Sequence, residues 1–239
     1  MITLHTLSAE DYKKLVAKIL FGAEQDESLP YVDSIWHVTI GRGFDIEGSP
    51  TPSRIEVFKT MGLEEARLDT KHPNYKQQLS KEKDYISRII TAINTYNTTA
   101  DIQRELNKII AERASDAVLQ PYDHIKNRTT FSLTNDEIEQ TYQNIIETYE
   151  DTISRLFGDT TVLAPSKERA ALISMAYQGS IKSVRSKLQQ AMVTDNNRAE
   201  AWYLIRYKAI GNHYGAQDGG GHAKRHYYEA VTAQPGAAV

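Results

Sequence analysis

The sequence predicts an α+β, mainly helical fold. Apolar residues recur at helical spacing along most of the 239 residues. A single stretch, residues 29–44, instead alternates apolar and polar side chains as a strand does. A Gly-Ser-Pro-Thr-Pro-Ser break at 48–53 then separates this stretch from a long helical run.

The first helix opens at Ser8, with Asp11 three positions on, close to a capping box. Tyr12, Leu15, Val16, Ile19, Leu20 and Ala23 form its apolar face. Pro30 is expected to stop that helix. Trp36, Val38 and Ile40 then alternate with His37, Thr39 and Gly41, which reads as a short hairpin turning at residues 34–37. Beyond the break, Ile86, Ile89, Ile90 and Ile93 mark one helix, and Ile102, Leu106, Ile109 and Ile110 another. Thr134 and Glu137 make a capping box for a helix with Ile138, Ile145, Tyr149 and Leu156 inward. Residues 170–177 are apolar on nearly every side, so they read as a central buried helix. Two helices follow, at about 184–192 and 199–210. Gly219 to Gly221 precede a last helix at about 222–233, and the tail from Gln234 reads as a frayed end. There are no repeats.

Composition excludes several classes. With 40% apolar and 25% charged residues, the chain is an ordinary globular sequence able to bury a core. The absence of cysteine excludes disulfides, thiolate metal sites and cysteine nucleophiles. A net charge of −3 argues against a nucleic-acid binder. No apolar run approaches the ~20 residues of a membrane span, and residues 1–15 lack the apolar core of a signal peptide. His213, His222 and His226 are close in sequence but lack acidic partners at ligand spacing, so no metal and no cofactor is expected.

The chemistry-bearing candidates cluster near the hairpin. Hydrolysis of a glycoside needs an acid to protonate the leaving oxygen and, commonly, a second carboxylate to handle water. Glu24 lies one turn beyond Leu20 on the apolar side of the first helix, a setting that raises a carboxyl pKa. Asp33 and Thr39 stand six apart across the hairpin turn, so both point to one side and can hold one water. Gly41 and Gly43 remove side chains where a sugar would approach. Taken singly, each is ordinary: a glutamate at a helix end is most often a solvated cap, and an aspartate in a turn is most often turn chemistry.

The combination is specific. Glu24, Tyr31, Asp33 and Thr39-Ile40-Gly41-Arg42-Gly43 resemble the Glu…Tyr-x-Asp…Thr-Ile-Gly-x-Gly segment of bacteriophage-type lysozymes, the phage muramidase family of glycoside hydrolases. Leu133-Thr134-Asn135-Asp136-Glu137 resembles the opening of that family's long connecting helix. Residues 169–178 resemble its buried central helix, and residues 219–225 the glycine-led stretch before its last helix. The matched segments cover roughly residues 8–47 and 130–232.

The resemblance implies one lysozyme-like domain over residues 1–239, with a cleft between a small hairpin-containing lobe and a larger helical lobe. It implies an inverting muramidase acting on the β-1,4 bond between N-acetylmuramic acid and N-acetylglucosamine. Glu24 would be the acid, Asp33 and Thr39 would place the water, and Tyr177, Gln178 and His222 would line the substrate site. Phe44 stands where many members have His, and His222 where some carry an Arg that pairs with the acid. Residues 50–128 are the largest departure. They are expected to form a helical insertion that extends the glycan groove or engages a protein partner. The partners implied are peptidoglycan glycan strands, with neither nucleic acid nor membrane. Without a signal peptide the protein would be made in the cytoplasm. It would then act on the cell wall or in the periplasm after release or delivery, or as part of a virion. A toxin domain with the same chemistry, or a non-catalytic glycan-binding module of an injection apparatus, are the alternatives.

Overall fold

Local signals account for the main elements of the computed structural model, which describes residues 2–21, 26–33, 36–47, 51–63, 68–119, 128–159, 162–177 and 179–205. Those residues form a mainly helical fold with one small antiparallel sheet. The chain divides into two compact units: Met1–Ala23 with Ile146–Val239, and Glu24–Ile145. No described helix is long and apolar enough to cross a membrane.

In the unit Glu24–Ile145 the strands run in the order β1 (Glu27–Val32), β2 (Val38–Gly41), β3 (Phe44–Asp45). Pro30, expected to stop a helix, lies inside β1 instead. β1 is an edge strand whose register shifts between Glu27 and Tyr31, and such irregular edges are where a strand tolerates a residue without an N–H. Trp36 sits in the expected turn at 34–37, although its alternation with Val38 and Ile40 suggested a strand, and it adopts φ 68°. The two-residue strand β3 has no counterpart among the expected elements; it is too short for alternation to be read.

Pro52 starts α2 (Pro52–Thr60) behind the N-cap Thr51, whose hydroxyl accepts the Arg54 N–H at 3.1 Å. Ile89 and Ile93 of α3 (Tyr75–Thr95) and Ile102, Leu106, Ile109 and Ile110 of α4 (Thr99–Ser115) are each at most 2% exposed. The α4 stripe is buried as expected, whereas in α3 Ile86 and Ile90 are only half-buried. The helices pack on each other, and α4 packs on β1. Thr99 accepts the Val32 N–H at 3.0 Å, and Gln103 donates to the Pro30 carbonyl at 2.9 Å. Residues of the expected insertion are thereby part of the body that carries the sheet.

A buried ion pair ties this body together. Arg113 of α4 donates from Nε and Nη2 to the Glu82 carboxylate of α3 at 2.9 and 2.5 Å, and from Nη2 to the Gly62 carbonyl at 3.1 Å. The Glu137 N–H reaches Thr134 Oγ1 at 3.3 Å, and the Thr134 N–H reaches Glu137 Oε2 at 2.9 Å, so the expected capping box starts α5 (Asn135–Phe157). The unit boundary falls inside α5.

In the other unit, α1 (Ala9–Phe21) begins at the Ser8–Asp11 cap, with the Asp11 N–H on Ser8 Oγ at 3.1 Å. It packs on α6 (Lys167–Tyr177), the central helix, in which every residue from Glu168 to Ala176 is buried. Two of these are charged, and each is held by several partners. Arg169 donates to Glu150 Oε2 at 2.7 Å, to the Leu163 carbonyl at 2.9 Å and to Ser154 at 2.9 Å, and Glu150 also takes the Tyr12 hydroxyl. Burial, then the Glu150 charge, push the Tyr12 phenol well above its ordinary pKa. Glu168 accepts from His5 Nδ1 at 2.6 Å and Arg198 at 2.7 Å. Burial works to raise the Glu168 carboxyl, but these hydrogen bonds outweigh it and hold the pKa below the usual value.

In the last turns of α5, Ile153 and Phe157 are inward at 0% and 2% exposure, while Leu156 is only half-buried. The helix expected at 184–192 is α7 (Ile181–Gln189), which continues as a π-helical turn, Gln190–Thr194. α8 (Arg198–Tyr203) follows. The expected helix at 222–233, its leading glycines and the tail lie outside the described residues.

Candidate functional site

Pairing across the sheet sorts its side chains by face. Thr39 is opposite Tyr31 on one side and Asp45 on the other, and directly paired residues share a face. The Asp33 N–H donates to the His37 carbonyl at 2.9 Å, so Asp33 and His37 extend the same row by two residues. One face therefore carries Tyr31, Asp33, His37, Thr39 and Asp45. The other carries Val38, Ile40 and Phe44, each at most 1% exposed. The six-residue spacing of Asp33 and Thr39 thus resolves into two positions on one polar face.

The groups are engaged as follows. Asp33 Oδ1 accepts the His37 N–H at 2.8 Å, closing the turn. Thr39 is 4% exposed, and its hydroxyl donates to the Tyr31 carbonyl at 3.4 Å, a long contact that leaves the oxygen's lone pairs able to accept from a water. His37 Nδ1 lies 3.2 Å from Asp45 Oδ2.

Gly41 acts differently from its expected role of clearing space for a sugar. It is buried, adopts φ +66°, and a Cβ there would lie 2.5 Å from the Phe44 ring. Its missing side chain admits the Phe44 ring. Gly41→Ala combines a left-handed alanine with an overpacked ring, and should cost about 2–4 kcal/mol of stability. Urea unfolding checks this, and an unchanged midpoint would show that Phe44 swings aside freely.

Glu24, Gln178 and His222 lie outside the described residues. Tyr177 closes α6 in the other unit, where its ring meets Tyr149 edge-on at 5.6 Å. Both rings are half-buried.

No family model, curated protein or solved structure matches the chain.

One constellation escaped the sequence. Arg42, at the β2–β3 turn, donates to both Asp26 oxygens at 2.7 and 3.2 Å and to Glu139 of α5 at 2.7 Å. Its guanidinium also lies 5.3 Å from the Tyr142 ring centroid. The Asp26 hydrogen bonds raise the Arg42 pKa, against the opposing effect of burial. Burial, then the Glu139 charge, push the Tyr142 phenol up to about 12. Asp26 directly precedes β1, so this clasp anchors the start of that strand. Partners 16 and 97 residues from Arg42 leave no local pattern to read. Among the described residues no three His, Asp or Glu side chains gather to hold a metal ion.

Proposed function

We propose that the protein is a peptidoglycan hydrolase of the phage lysozyme type, an inverting muramidase. The observation that carries the reading is the polar sheet face. Its register puts Asp33 and Thr39 on one side of the hairpin, and in the sequence they stand from Glu24 at the intervals of the phage lysozyme motif that the chain resembles. A mainly helical chain with one small sheet suits the phage lysozyme fold.

In this mechanism Glu24, protonated, gives its proton to the glycosidic oxygen as the bond from that oxygen to C1 of N-acetylmuramic acid breaks. A water attacks C1 from the opposite face. It donates one hydrogen bond to Thr39 Oγ1 and its other proton to Asp33, leaving its lone pair aimed at the carbon. The new C1–OH bond forms as Asp33 takes the proton. Glu24 is left ionised, and exchange with solvent resets both carboxyls.

The substrate is the glycan strand of peptidoglycan, reached after release or delivery, and a protein partner would be met through residues 50–128. Digestion of purified sacculi tests the reading. Mass spectrometry should find N-acetylmuramic acid at the new reducing ends, and NMR of a fresh digest should find the α-anomer first. Initial β-anomer, or a glycosyl group trapped on Asp33, would overturn inversion. Intact glycan would overturn the activity.

A further inference from the structure

Trp36 is 72% exposed and holds a left-handed backbone at φ 68°, a conformation that bulky residues rarely adopt. The turn enforces it. The Trp36 N–H donates to the Asp33 carbonyl at 3.1 Å, and Asp33 Oδ1 takes the His37 N–H. Glycine would make the same turn without strain, and an indole left in water adds little to the core. Strain of this kind persists where the residue has a use beyond folding. Polar residues surround this position in the chain: the Trp36 N–H is bonded to Asp33, His37 follows it, and the His37 ring lies 3.2 Å from Asp45.

We infer that Trp36 is a sugar-stacking residue that holds the apolar face of one N-acetylhexosamine ring of the glycan strand beside the Asp33–Thr39 face. The neighbours select this occupant. The C–H face of a pyranose carries partial positive charge and complements the negative face of an indole, while hydroxyls at the ring's rim suit carboxylate and imidazole groups. The two carboxylates on that face, Asp33 and Asp45, disfavour a polyanion, and one exposed indole among polar residues is not the continuous apolar patch that a protein partner covers. The inference rests on the muramidase reading and names how that site grips its substrate.

The test uses the full chain. The sequence has two tryptophans, so Trp202→Phe leaves Trp36 as the only indole reporter. In a Trp202→Phe, Glu24→Gln protein, titration with a peptide-free glycan tetrasaccharide prepared from peptidoglycan should move Trp36 emission to shorter wavelength. On sacculi, Trp36→Gly should raise KM about tenfold with kcat little changed, the loss of one aromatic stack. Its melting temperature should rise by about 2 °C as the strain is relieved. Trp36→Tyr should recover most of the affinity. Unchanged emission at saturating tetrasaccharide, or an unchanged KM in Trp36→Gly, overturns the inference. An emission shift in a chain whose wild type leaves sacculi intact would retain Trp36 as a glycan contact and reject the hydrolase. Cleavage by wild type with no effect of Trp36→Gly would do the reverse.

Discussion

Glu24→Gln is expected to cut turnover on peptidoglycan by ~10²–10⁴-fold, the range that general acid catalysis contributes. The amide keeps the shape of the carboxyl and much of its hydrogen bonding but has no proton to give the leaving oxygen. The fold should be untouched, so circular dichroism and the melting temperature should match wild type while dye release from labelled sacculi falls away. The size of the loss distinguishes a proton donor from a side chain that merely helps to bind, which would change KM and spare kcat. Near-normal lysis by a folded Glu24→Gln protein would remove Glu24 from the mechanism.

The second large effect lies away from the chemistry. Arg113 and Glu82 are 3% and 1% exposed, so neither charge has bulk water to return to. Arg113→Ala should destabilise the protein by about 3–5 kcal/mol, because it strands the Glu82 carboxylate in the α3–α4 interface. Arg113 Nη1 is itself buried with no acceptor among the described residues, so the pair is costly as well as cohesive. Replacing both partners with apolar residues of similar size, Glu82→Leu with Arg113→Met, should recover most of the loss. Denaturant unfolding of the three variants checks this. A double variant as weak as Arg113→Ala would mean that the pair itself, rather than the stranded charge, sets the stability.

That pair also shows what sequence reading misses. Glu82 and Arg113 sit on helices rich in charge, where any one charged residue reads as solvated. Only the tertiary approach of two positions 31 apart reveals them as core. The Arg42 clasp was hidden for the same reason. Signals confined to a few residues were legible: the Ser8 and Thr134 caps, the α4 stripe, and the largely apolar run of residues 170–177 in α6. Asp33 and Thr39 were legible as a pair because a strand's period of two fixes which residues share a side. Pro30 misled because proline both stops helices and is tolerated within edge strands. Trp36 was legible as part of the 34–37 turn, but nothing local marks the left-handed backbone that holds it.

The unit that contains α1 is assembled from two stretches of chain separated by the whole of the other unit, about 120 residues. During synthesis α1 emerges early, yet α6, the helix it packs on, is made long afterwards. Its apolar stripe of Leu15, Val16 and Leu20 has no native partner in the interval. The intervening unit is continuous in sequence and can close its core as it is made. Docking of α1 on α6 must therefore wait until the whole intervening unit has been made.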